Sequence, residues 1–145
     1  MSHPLTSLDA VENIRPSAIG ARAEAAVASA LVRAGKTVFL PAFGAHSRID
    51  LVYQEDRGLL RVQCKTARFA TDTLSFRTCS NTANRERDYV GEIDVFGVYS
   101  EELRNVYLVP VTDTPGRRCF LRLGPPRNGQ RRGVRWAKDY LLGPP

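Results

Sequence analysis

The apolar positions of this chain follow two rhythms. Over AIGARAEAAVASALVRAG, Ile19, Ala23, Val27, Ala30 and Leu31 recur at the three- and four-residue spacing of one helix face. The stretch is dense in alanine, the best helix former. Ser17 is a candidate N-cap, and Gly35 sits where a left-handed glycine would end the helix. After it the period shortens. Residues 36–41 form a β-rich run stopped by Pro41. Residues 47–53 set Ile49, Leu51 and Tyr53 on one face and Arg48, Asp50 and Val52 on the other. Residues 59–65 set Leu60, Val62 and Cys64 against Leu59, Arg61, Gln63 and Lys65. The polar segment 54–58 between them ends in Gly58, so the pair predicts a β-hairpin. Further strands are expected at residues 73–77, 93–99 and 106–111. Residues 79–90 are polar throughout and read as a loop or short helix, and residues 136–142 as a last short helix. One helix followed by strands predicts an α/β (α+β) class with a mainly central sheet. A single domain over 1–145 is expected, with a flexible arm at 1–16 and a basic extension at 112–145.

Composition narrows the partner. The chain has 145 residues and is 43% hydrophobic, enough to bury a core without staples. Its net charge of +6 favours an anionic partner, and nucleic acid is the commonest polyanion. Residues 114–138 carry Arg117, Arg118, Arg122, Arg127, Arg131, Arg132, Arg135 and Lys138 without one acid. Arginine clamps phosphates with two parallel donors, so this stretch is a candidate DNA surface. Arg85 and Arg87 are a second candidate, and Asn128 and Gln130 have groups that could read base edges. His46 reads as a loop histidine, and Trp136 and Tyr140 as packing residues. The three cysteines, Cys64, Cys79 and Cys119, are odd in number and lack a CxxC. Neither a disulfide framework nor a zinc site is suggested, and a cytoplasmic home is expected. No apolar run approaches the ~20 residues needed to span a membrane.

Three polar groups stand out against the apolar pattern. Glu24 lies near the apolar stripe, with no basic residue at helical spacing to pair with it. Asp50 interrupts the apolar run Ile49-Asp50-Leu51-Val52, although aspartate is depleted in strands. Gln63 and Lys65 are two apart and share a strand face. A register that sets Asp50 opposite Gln63 centres the turn between Asp56 and Arg57, where the polar turn residues are. Opposed residues project together, so the hairpin gathers Asp50, Gln63 and Lys65, and Glu24 joins them if the helix packs on that sheet. Phosphodiester hydrolysis needs a water nucleophile and neutralisation of phosphate charge. Asp50 is a hard oxygen ligand for Mg²⁺ or Mn²⁺, and Gln63 and the Cys64 backbone carbonyl add neutral oxygens. Lys65 is suited to position the water or stabilise the phosphorane charge. Glu24 is suited to a metal-bound water or a second ion.

The succession Gly20-x-x-x-Glu24, Ser47-Arg48-Ile49-Asp50-Leu51-Val52 and Val62-Gln63-Cys64-Lys65-Thr66 resembles the PD-(D/E)XK nuclease superfamily. It is most similar to the group I intron-associated homing endonucleases, which use Gln-x-Lys in the third motif. The stretch Gly91-Glu92-Ile93-Asp94-Val95-Phe96-Gly97-Val98-Tyr99, followed by Val106-Tyr107-Leu108-Val109-Pro110, fits the same branch. The resemblance implies a restriction-endonuclease-like core, with a mixed central sheet flanked by helices. It also implies Mg²⁺- or Mn²⁺-dependent cleavage of DNA by a homo-oligomer. Two departures are visible: Ser47-Arg48-Ile49-Asp50 replaces the literal Pro-Asp, and Gln63 replaces the usual acid.

Overall fold

A computed structural model describes residues 16–44, 47–82 and 85–145. It opens with the expected helix, α1 (Pro16–Arg33). Proline, lacking an N–H, is tolerated in a first helical turn, so Ser17 lies inside the helix and is not its cap. The far end closes as the glycine predicts. Gly35 has φ +82°, its N–H donates to the Val32 carbonyl at 3.0 Å, and Lys36 N–H donates to the Leu31 carbonyl at 2.9 Å. Together these form a Schellman motif that satisfies the last carbonyls.

A six-stranded sheet follows. It contains β1 (Val38–Phe39), β2 (Leu51–Glu55), β3 (Gly58–Thr66), β8 (Val95–Ser100), β9 (Asn105–Pro110) and β11 (Leu141–Gly143), in spatial order β1-β2-β3-β8-β9-β11. β3 runs antiparallel to β2 and parallel to β8, so the sheet is mixed. The hairpin register is Leu51↔Val62, Val52↔Arg61 and Tyr53↔Leu60. This is the register that the polar turn predicts. Arg61 fastens β3 to the approach to β8. Its Nε and backbone N–H donate to Asp94 Oδ2 at 3.0 and 2.8 Å, and Nη2 donates to Oδ1 at 3.0 Å. These bonds hold the Asp94 carboxyl below its ordinary pKa.

α1 covers one face of this sheet. Ala23, Val27, Ala30 and Leu31 pack on Leu51, Val62, Val95 and Tyr99. The packed stripe begins at Ala23, a turn after Ile19, which is left 40% exposed. Gly97 lets the helix come close: a Cβ there would lie 2.6 Å from Val27 Cγ1. Among the described residues the opposite face is covered by strands. β4 (Arg68–Ala70), β5 (Thr73–Arg77) and β10 (Arg118–Arg122) form a three-stranded sheet in the order β10-β5-β4. Leu74, Phe76 and Leu121 from it meet Phe96, Val98, Tyr107 and Val109 in a second core.

Two expected elements differ. Residues 79–90, read as loop or short helix, contain a hairpin of β6 (Cys79–Thr82) and β7 (Arg85–Asp88). β7 is exposed at every position, so no alternation betrays it. Ion pairs hold it instead, from Glu86 to Arg117 and Arg77, and from Arg87 to Glu92. The last helix shrinks to one 3₁₀ turn, Ala137–Asp139, before β11 pairs with β9. Sheet pairing there outweighs the local helical pattern. The arm over residues 1–15 and His46 lie outside the described residues.

Candidate active site

Asp50 marks the point where the chain leaves the hairpin ladder. Its N–H donates to the Val62 carbonyl at 2.8 Å, and the regular pairing begins one residue later. Where a continued ladder would offer a main-chain carbonyl, the Asp50 side chain intervenes, and Cys64 N–H donates to Oδ2 at 2.7 Å. The carboxylate is therefore docked in the plane of the sheet against the peptide between Gln63 and Lys65. In a strand, the N–H and C=O of one residue point to the same side. The Cys64 carbonyl therefore opens toward the side on which Asp50 sits. Gln63 Nε2 donates to that carbonyl at 3.4 Å.

Glu24 is exposed on α1 and lines the same cavity as Asp50. That cavity measures about 460 Å³ and is completed by the segment 41–44, Ser47 and Ile49. Burial, and then the Glu24 charge, push the Asp50 carboxyl up from its ordinary 3.8 to about 6. The Cys64 N–H and the Lys65 ammonium oppose the rise without cancelling it. Two carboxylates thus face one space, and one of them resists ionisation. The donor set fits a hard divalent ion. Glu24 and Asp50 supply carboxylate oxygens, and Cys64 supplies a main-chain carbonyl. The Cys64 thiol is no part of this set. It is buried, and burial with the two nearby carboxylates raises its pKa, which keeps the sulfur protonated.

Gln63 and Lys65 do not line the Glu24–Asp50 cavity. They reach the Asp50 carboxylate through the Cys64 peptide, from the sheet face opposite α1. Lys65 Nζ donates to Tyr89 Oη at 3.2 Å and lies 4.9 Å from that ring's centroid. Sequence reasoning missed Tyr89 and the role of Arg48. The Arg48 guanidinium carbon stacks 3.6 Å over the Tyr89 centroid. Its Nη atoms donate to the Asp88 carbonyl at 2.6 Å, to the Arg87 carbonyl and Ser80 Oγ at 3.0 Å each, and to Glu92. Arg48 thus secures the segment leading to Asp50 and caps the tyrosine that holds Lys65. A basic residue two before the aspartate was the one available sign.

The basic candidates divide. Arg117 is paired with Glu86 at 2.6 Å, and Arg87 with Glu92. Arg85 and Arg87 lie on β7, not in a loop. Arg118 is on β10 and donates to Ser75 Oγ at 3.1 Å. Arg127, Arg131 and Arg132 are exposed on the segment after β10, while Arg135 is half-buried and its carbonyl accepts from Arg122 N–H at 2.7 Å. Tyr140 packs on the second core and donates to Asp113 Oδ2 at 3.0 Å, and Trp136 is half-buried beside Lys138.

A helix-borne glutamate, an aspartate at a strand end and a lysine on the paired strand, on a mixed sheet, define a nuclease of the PD-(D/E)XK class. Residues 14–143 match the PD-(D/E)XK endonuclease family, and the chain belongs to it. Its fold is similar to that of a bacterial homing endonuclease, I-Ssp6803I. The TM-score is 0.65 at 23% identity, covering 88% of this chain and 87% of the other. No protein of curated function matches it by sequence. No described helix is long and apolar enough to cross a membrane.

Proposed function

We infer that the chain is a Mg²⁺- or Mn²⁺-dependent endonuclease that hydrolyses phosphodiester bonds in DNA. The observation that carries the reading is the docking of the Asp50 carboxylate on Cys64 N–H at 2.7 Å, across a cavity from Glu24. When bound there, a divalent ion neutralises phosphate charge and makes a coordinated water more acidic. Asp50, Glu24 and the Cys64 carbonyl are the groups that would hold it.

The remaining work falls to the chain itself. Lys65 is kept forward by Tyr89, where its ammonium orients the attacking water and balances charge gathering on the phosphate. Gln63, standing where an acid is usual, leaves the site one negative charge poorer. Binding of the ion therefore leans on Asp50 and Glu24. Arg127, Arg131 and Arg132 would hold the DNA backbone through phosphate contacts. One such site cuts one strand, so duplex cleavage is simplest with two copies related by a twofold axis.

A cleavage assay on supercoiled, linear and branched DNA tests the reading. Nicking or linearisation is expected with Mg²⁺ or Mn²⁺ and not with EDTA. Asp50→Ala and Lys65→Ala should each lower the rate at least about a hundredfold while DNA binding persists. Normal cutting by both variants would remove these residues from the site. Binding without cutting, by the wild type on every substrate, would make the chain a DNA-binding module of the same fold.

A further inference from the structure

The three-stranded sheet has a second face that the cleavage site does not use. Its register pairs Arg118 with Arg77, Phe120 with Ser75 and Ser75 with Arg68, and Arg122 with Thr73. Opposed residues project together. The alternate residues Leu74, Phe76, Cys119 and Leu121 are buried in the second core, so these pairs face outward. Phe120 stands among them 54% exposed, an apolar ring that the fold has not covered.

Two of the arginines around it are tied to neighbouring oxygens. Arg118 donates to Ser75 Oγ, and Arg122 donates to Thr73 Oγ1 at 2.9 Å and to the Gly124 carbonyl at 3.3 Å. Among the described residues, Arg68, Arg118 and Arg122 have no carboxylate within ion-pair distance. Two adjoining cavities of about 660 and 430 Å³ lie over the face and share Phe120, Arg122, Pro126 and Asn128. The segment after β10 overhangs them. The acids nearby are Asp72, lining the larger cavity, and Glu86, 3.9 Å from Arg77.

We propose that this face is a second DNA contact, in which an unpaired base stacks on Phe120 while Arg68, Arg118 and Arg122 take the flanking phosphates. The chemistry is specific to a polynucleotide with a free base. Cations without carboxylate partners match a phosphate chain, and an exposed aromatic on a sheet stacks any base regardless of identity. A fully paired duplex presents no base face, so the ring would have nothing to stack on. The proposal rests on the nuclease reading and sharpens it toward DNA with a locally opened strand.

The test uses the full chain with EDTA, so that nothing is cut. The probes are labelled oligo-dT, a fully paired duplex, and the same duplex with a single-base bulge. Phe120→Ala should weaken the single strand and the bulged duplex about tenfold and leave the paired duplex unchanged. Phe120→Trp should retain tight binding, and its fluorescence should be quenched by oligo-dT. Arg68→Gln and Arg118→Gln should each flatten the salt dependence of single-strand binding by about 0.7 in the log–log slope. Unchanged binding by Phe120→Ala, or equal losses on paired and unpaired probes, would overturn the proposal. Cleavage with Mg²⁺ is read separately. Cutting without dependence on Phe120 defeats only this inference, and a stacked base without any cutting defeats only the nuclease reading.

Discussion

Asp50 is asked to be a charge in a place that resists charge. Its carboxyl is raised from 3.8 to about 6 by burial and by Glu24. Between those values the folded chain holds a proton that the unfolded chain has lost, so stability falls as pH rises from about 4 to about 6. Above that range the ionised carboxylate costs the metal-free fold roughly 1–3 kcal/mol, allowing for partial solvent screening. Asp50→Asn keeps an oxygen for Cys64 N–H and removes the charge. Thermal melts in EDTA should therefore show the variant more stable than wild type by several degrees at pH 8, with the gap closing near pH 4. A variant less stable at pH 8 would refute the burial argument. Tyr89 acts one contact further out, as a positioning residue. Tyr89→Phe keeps the ring under Arg48 and removes only the oxygen that Lys65 holds. Because hydrogen bonds to charged groups are strong, kcat should fall about tenfold, with KM and melting temperature unchanged. A shift in KM alone would assign Tyr89 to binding instead. The hairpin that carries Asp50, Gln63 and Lys65 was legible because strand period and turn chemistry fix it locally. Tyr89 and Arg48 were not, because the contacts that define them bridge 24 to 44 positions of sequence.

At the scale of elements, the position of Glu24 depends on how closely α1 lies against β8. Gly97 sets that approach: a methyl there would meet Val27 Cγ1 at 2.6 Å and Val62 Cγ1 at 3.1 Å. Gly97→Ala should cost about 1–3 kcal/mol by overpacking. A matching fall in melting temperature is expected, with partial recovery when Val27→Ala is added. An undiminished melting temperature would mean that the helix can shift without penalty. Three of the elements that sequence pattern missed share a cause. β6 and β7 present polar residues on both sides, and β4 is exposed at all three positions, so neither carries a buried–exposed alternation. β10 does alternate, with Cys119 and Leu121 buried between Arg118, Phe120 and Arg122. Its signal was masked by the prolines and glycines on either side, which read as loop.

At the scale of the whole molecule, two faces of one mixed sheet carry different layers, a helix on one and three strands on the other. The α+β class and the central sheet followed from the order of elements. The second layer did not, because β10 joins β5 across about forty residues of chain and no local rule announces such pairing. The net charge of +6 is likewise a property of the whole, and its exposed share should set the salt response of DNA binding. Neutralising Arg131 and Arg132 together should reduce the log–log slope on duplex DNA by up to about 2. An unchanged slope would take the segment after β10 off the DNA.

The departure of the chain at Asp50 has one more consequence. Beyond Val62, β3 keeps β8 on one flank, but among the described residues no strand lies on the other. The Cys64 carbonyl and the backbone of Thr66 are left facing outward there. An unpaired strand margin of this kind is a template on which a second polypeptide could zip. The charge at Lys65, on this short bare margin, discourages such self-association. The lysine proposed to serve hydrolysis would therefore double as a guard against aggregation.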